Sequence, residues 1–129
     1  MNVYHATRIH FTKFAARTTW FSLNEKDALG WLTNGGGHQI VARYVGGTIA
    51  SQEDCAALAK RVWPDEDLIY SMFDENVHEF DADEIRAFIA LLQAEGFDAA
   101  YIKDYDPNNF EVGTSTSLAV FRPDLHVVF

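Results

Sequence analysis

Five histidines, one cysteine and an excess of carboxylates are the side chains with most chemistry to offer in this 129-residue chain. Imidazole and carboxylate together suit metal binding. However, His5, His10, His38, His78 and His126 lack the close spacing of zinc ligands, and no metal site is expected. Cys55 sits beside Ala56 inside an amphipathic helical pattern, the place of a core thiol rather than a nucleophile. As the lone cysteine it excludes an internal disulfide and fits a reducing compartment. No Gly-x-Gly-x-x-Gly and no phosphate-loop lysine motif occurs. Gly35-Gly36-Gly37 reads as a helix-to-strand loop ahead of a phosphate cradle, since no helix N-terminus follows it. Three further points stand out by position: His5 within an N-terminal β-rich stretch, Phe21-Ser22 in a second, and Asp104 at the end of a third. Taken singly each is ordinary, His5 as a core or edge histidine bonded to backbone and Asp104 as a turn former.

The elements that must position these residues follow from pattern and punctuation. Asn2–Thr7 reads as a strand with Val3, His5 and Thr7 on one face and Tyr4 and Ala6 on the other. Residues 18–22 form a second short strand. Asn24 caps a helix over 25–32 that carries Ala28, Leu29 and Leu32 on one stripe. Residues 39–45 alternate as a strand, and Gly46-Gly47 turns the chain. Ser51 and Asp54 resemble a capping box for a helix that Pro64 stops, and residues 66–73 carry a short helical spacing. Asp81 and Glu84 open the clearest helix, with its stripe at Ile85, Phe88, Ile89 and Leu92 and Gly96 as its left-handed end. The remainder reads as β: residues 99–103, a polar loop around Pro107-Asn108-Asn109, then 118–121 and 126–129. This order predicts one α+β domain over residues 1–129 with a helical middle.

Composition narrows the partners. Hydrophobic residues make up 48% and charged residues 22%, a globular balance. Ten basic against nineteen acidic residues leave a net charge of -9, which disfavours direct binding to nucleic acid or an anionic membrane. Between Val62 and Ile85 the charges are all acidic, Asp65, Glu66, Asp67, Asp74 and Glu75 among them. Such a run is a solvated face or a docking surface for a basic protein. No signal peptide and no apolar run of membrane-spanning length is evident, so a cytoplasmic protein is expected.

Taken together, the positions resemble a known family. Tyr4-His5-Ala6-Thr7 is similar to the Tyr-His-Gly/Ala-Thr signature on the first strand of ADP-ribosyltransferase-fold proteins, above all the small phage and mobile-element branch that includes anti-CRISPR ADP-ribosyltransferases. Four further blocks follow in matching order. Trp20-Phe21-Ser22 with Asp27-Ala28 resembles the second strand and its helix, and residues 39–45 the next strand. Residues 96–104, opening Gly96-Phe97-Asp98, resemble the Gly-Tyr/Phe-Asp-Gly strand, and residues 118–124 the closing Val-Val-Phe-Asp-Pro block. The five blocks span the chain except its acidic middle.

The resemblance implies split mixed β-sheets around an NAD cleft, with NAD+ as co-substrate. His5 would bond the adenine-side ribose hydroxyl, Phe21 and Ser22 would orient the nicotinamide ribose, and Tyr4, Trp20 or Trp31 would stack on the nicotinamide. Backbone around Ala6 and Thr7 would meet the carboxamide. Breaking the nicotinamide–ribose bond leaves an oxocarbenium-like sugar, which a fixed carboxylate stabilises more than the ground state. Asp104 takes that place by its position after the Gly-Phe-Asp strand, with Asp106 and Glu111 in reserve. The chain departs from the better-known pattern in having no Glu-x-Glu and in carrying Phe21 where tyrosine is often found. The implied function is mono-ADP-ribosylation of a host protein, one that itself binds nucleic acid. An acidic, non-catalytic decoy and an NAD-hydrolysing toxin are the other readings.

Overall fold

The computed structural model describes residues 1–9, 11–32, 37–62, 82–106 and 109–129, with the side chains of 82, 84, 103–106 and 109–114 outside the description. Seven strands and four helices are found among the described residues. In chain order they are β1 Asn2–Thr7, β2 Thr19–Ser22, α1 Glu25–Gly30, β3 His38–Tyr44, β4 Ile49–Ala50, α2 Gln52–Val62, α3 Ala82–Ala94, β5 Ala99–Asp106, β6 Asn109–Val120, α4 Pro123–His126 and β7 Val127–Val128. None of these helices is long and apolar enough to cross a membrane. The fold is α+β, as the element order predicts. The helical spacing at 66–73 and the acidic positions Asp65, Glu66, Asp67, Asp74 and Glu75 lie outside the described residues.

Local chemistry sets the helix starts. The Asn24 side chain accepts from the Asp27 N–H at 2.8 Å, so one unpaired donor of the first turn of α1 is satisfied. At α2 the capping box is reciprocal: Asp54 N–H donates to Ser51 Oγ and Ser51 N–H to Asp54 Oδ2, both at 3.0 Å. Beyond α3 the chain turns at Gly96, φ +94°, where Phe97 N–H reaches back to the Leu92 carbonyl at 3.1 Å.

The strands form one mixed sheet in the order β4-β5-β6-β2-β1-β3-β7, in which β4 and β5 run parallel and the other neighbours antiparallel. Three elements differ from the sequence expectation, the first being the short strand β4, which follows the Gly46-Gly47 turn and pairs parallel with β5. The third-strand region extends into a long β5–β6 hairpin, because residues 109–117 pair as strand despite their polar character. The final segment is not all strand. Pro123 pre-sets a helical φ and opens the turn α4, which leaves only Val127–Val128 to pair with β3.

Each face of the sheet carries its own apolar cluster. On one, Ala100, Ile102, Ala119 and Phe121 pack under Cys55, Leu58 and Ala59 of α2 and Phe88, Ile89 and Leu92 of α3. On the other, Val3, Phe21, Ile40, Ala42, Leu118 and Val120 meet Phe14 and Phe11 from the loop between β1 and β2. The two faces alternate along each strand with period two, which puts Tyr4 and His5 on opposite sides of β1.

Candidate functional site

The sheet is weakest where β1 meets β2. These strands share one register pair, Tyr4↔Ser22, whereas β1 and β3 pair from Asn2↔Arg43 through Thr7↔His38. Beyond Tyr4 the two strands part. The His5 ring spans the gap, with Nδ1 at 2.8 Å from the Trp20 carbonyl oxygen. A carbonyl only accepts, so Nδ1 carries the proton and donates. Burial holds the imidazole below its ordinary pKa and outweighs the opposing pull of the carbonyl, so the neutral ring is favoured. Neutral imidazole protonated at Nδ1 keeps Nε2 as an acceptor. Phe21 at 5.6 Å and Phe11 at 5.9 Å between ring centroids fix the ring from the side. The plain expectation for His5, a histidine bonded to backbone, is therefore met, and the bond falls where the ladder stops.

A cleft of about 880 Å³ opens at this junction, within the range of about 300–1,000 Å³ usual for small-molecule and cofactor sites. Its floor is the parted strands. Tyr4, Ala6, Trp20 and Ser22 come from the face that α3 covers, and His5 and Phe21 reach the cavity because β1 and β2 separate there. Ser117 of β6 lies directly opposite Ser22, and both serines are buried. One wall is α3, through Ile85, Arg86, Ile89 and Gln93. The rim is closed by Trp31 just after α1 and by Arg17 and Thr18 leading into β2. Apolar and aromatic surface with a few placed polar groups is the lining expected of a site that holds ring systems and orients hydroxyls.

Three distant stretches of sequence thus meet. Of the residues that the sequence offers as cofactor-binding, Tyr4, His5, Ala6, Trp20, Phe21, Ser22 and Trp31 line this one cleft. Thr7 does not; its hydroxyl closes the turn after β1 by donating to the Ile9 carbonyl at 3.0 Å. Asp104 occupies the β5 register position opposite Ser115, two residues along from the Ile102↔Ser117 pair. At about 3.3 Å per residue that is roughly 7 Å of strand from the lining serine. Asp106 pairs with Asn109 next to an irregularity in the ladder, and Glu111 lies on β6. The side chains of all three carboxylates lie outside the described residues.

Sequence reasoning missed Arg17, Thr18, Arg86 and Gln93, gave Ser117 no role at the site, and assigned Ile85 and Ile89 to the core alone. A signal existed in the spacing of α3. Phe88 and Leu92 are fully buried in the cluster, while Ile85, Ile89 and Gln93 recur every four residues along an adjoining stripe whose isoleucines touch both the cluster and the cleft. Among the described residues no cluster of three or more metal-ligating side chains occurs.

Comparison of the chain with protein-family models, with curated proteins and with solved structures gave no match.

Proposed function

We propose that this chain has an ADP-ribosyltransferase-like fold and transfers ADP-ribose from NAD+ to a protein. The observation that carries the reading is the convergence of Tyr4, His5, Ala6, Trp20, Phe21, Ser22 and Trp31 on one cleft, at the place where the sheet is held by a single register pair. The composition of the lining fits the ligand. A neutral His5 with Nε2 available accepts from a ribose hydroxyl, aromatic faces on Tyr4, Trp20 and Trp31 suit adenine and nicotinamide rings, and two guanidinium groups suit phosphate.

In this reading NAD+ supplies an activated N-glycosidic bond whose leaving group, nicotinamide, departs neutral. The chain's own residues orient and stabilise. His5 fixes one ribose by accepting at Nε2, while its Nδ1–H stays committed to Trp20. Ser22 and Phe21 hold the second ribose from β2. The backbone of Ala6 faces a neighbour with which it shares no register pair, so its amide edge is suited to the carboxamide. A carboxylate from the β5–β6 hairpin, with Asp104 first and Asp106 and Glu111 behind it, steadies the positive charge that develops on the sugar and accepts the proton of the target. The acidic segment between Val62 and Ile85 supports a basic protein, one that binds nucleic acid, as the target.

The test uses NAD+ labelled in its adenylate phosphate, incubated with the protein and a host lysate. Label should appear on a protein band, with nicotinamide released in equal amount. Asp104→Ala should lower transfer by about 100-fold or more while calorimetry shows NAD+ binding largely kept. If Glu111→Ala shows that pattern instead, the carboxylate is reassigned. NAD+ consumed with no protein labelled makes the chain a glycohydrolase. Neither labelling nor binding of NAD+ removes the reading.

A further inference from the structure

Among the described residues, the charge lining the cleft is opposite to that of the chain. Nineteen acids outnumber ten bases overall, yet among the described residues the charged groups lining the cleft are Arg17 and Arg86, with no carboxylate. They approach from different elements, Arg17 from the segment entering β2 and Arg86 from α3. Arg17 has no ion-pair partner among the described residues. Arg86 pairs with Asp83, one turn earlier on α3, and that pair is 70% and 88% exposed. An exposed pair of this kind is worth little, so its partner is easily exchanged.

We propose that Arg17 and Arg86 form a two-sided clamp for a diphosphate, so that the cleft selects a diphosphate-bearing nucleotide over the bare nucleoside. Guanidinium presents a planar fork of donors that matches phosphate oxygens, and a diphosphate offers one anionic group to each side. Arg86 is held in reserve on Asp83. When the ligand enters, Arg86 leaves an open, well-screened carboxylate for an anion inside a partly enclosed cleft, where salt screens less. Trp20 and Trp31 then take the rings on either side of the clamped phosphates. The clamp rests on the proposed function only for the identity of its ligand as a dinucleotide.

Calorimetric titration with ADP, with adenosine and with inorganic pyrophosphate tests it. ADP should bind on the order of tenfold to a hundredfold more tightly than adenosine. Arg17→Ala and Arg86→Ala should each weaken ADP about tenfold and leave adenosine unchanged. Asp83→Asn releases Arg86 and should tighten ADP about twofold. A purely structural pair predicts the reverse, because α3 would loosen. Pyrophosphate should compete with ADP. Equal affinity for ADP and adenosine, unchanged ADP affinity in both arginine variants, or weaker binding by Asp83→Asn overturns the clamp. The two proposals separate cleanly. NAD+ turnover with a KM indifferent to both arginines sinks the clamp and spares the transferase. Arginine-dependent ADP binding in a protein that neither binds nor cleaves NAD+ spares the clamp and sinks the transferase.

Discussion

The two halves of the sheet are held by different means. In β4-β5-β6-β2 the ladders are long, with β5 and β6 paired from Ala99↔Val120 through Tyr105↔Thr114, and α2 and α3 seal one face with Phe88 and Leu92 fully buried. In β1-β3-β7 the strands hold one another, and their hydrogen-bonded tie to β2 is Tyr4↔Ser22 with the bond from His5 to the Trp20 carbonyl, beside the apolar cluster that Val3, Ile40 and Ala42 share with Phe21, Leu118 and Val120. A side chain does there what a row of backbone bonds does elsewhere. A complete ladder at that junction would consume the backbone edges and close the cavity. The cleft exists because pairing stops early, and the stability forgone at the junction has to come from the apolar clusters on the two faces, the larger helix-covered one above all.

The largest expected effect attacks that covered half. Phe88 is 1% exposed and lies between α3 and the sheet, so Phe88→Ala should cost about 3–5 kcal/mol, as lost transfer free energy plus a cavity that the neighbours fill only in part. Urea unfolding monitored by circular dichroism measures it. Because α3 is also the wall of the cleft, ADP affinity should fall in the same variant under conditions where it remains folded. A cost below about 1 kcal/mol would mean that the covered half is not where the stability resides.

How much of this could be read beforehand depends on what each signal consists of. The starts of α1 and α2 were legible because a cap is local chemistry: Asn24 with Asp27, and Ser51 with Asp54, lie three residues apart and bond as written. The faces of β1 and β3 were legible because alternation is local too. The β5–β6 hairpin was not. Thr114-Ser115-Thr116-Ser117 has no hydrophobic alternation, and its strand state comes from partners that are distant or not apolar. The helical turn α4 was hidden by β-favouring residues on both sides of Pro123. At the site, the residues on β1 and β2 were found by their resemblance to a family signature. Arg17 and Arg86 went unmarked, because an isolated arginine in a loop or on a helix carries no pattern until the fold brings it to a cavity.

A smaller effect addresses the junction directly. His5→Leu keeps an apolar side chain among Phe11, Phe14 and Phe21 but removes the donor to Trp20, which leaves that carbonyl without its partner at the edge of the cleft. The expected cost is about 1–2 kcal/mol. Native-state hydrogen exchange gives the sharper readout. Amides of β1 and β2 should exchange faster in the variant, while those of β5 from Ala99 to Ile102 keep wild-type protection, since opening at the junction does not require the covered half to unfold. Uniform acceleration over both halves would show that the bond supports the fold as a whole and that the halves are not separable.

The smallest effect is the pH dependence that the same ring carries. Burial lowers the His5 pKa below the ordinary 6.5, and the unfolded chain returns it to that value. Between the two the unfolded chain binds more protons than the folded one, so stability falls as pH drops through 6.5 and levels off below the folded pKa. Above 6.5 the contribution is fully present. Leucine does not titrate, so the difference between wild type and His5→Leu isolates this ring from the other histidines. The wild-type advantage in urea midpoint should narrow as the pH is taken from about 7.5 to about 5.5. Narrowing marks a neutral imidazole that gives Nδ1–H to Trp20 and keeps Nε2 for a ligand. An advantage that widens on acidification would mean that the folded protein prefers the imidazolium, which has no acceptor left. His5 would then still tie the two strands together but could not take the ribose-holding role proposed for it.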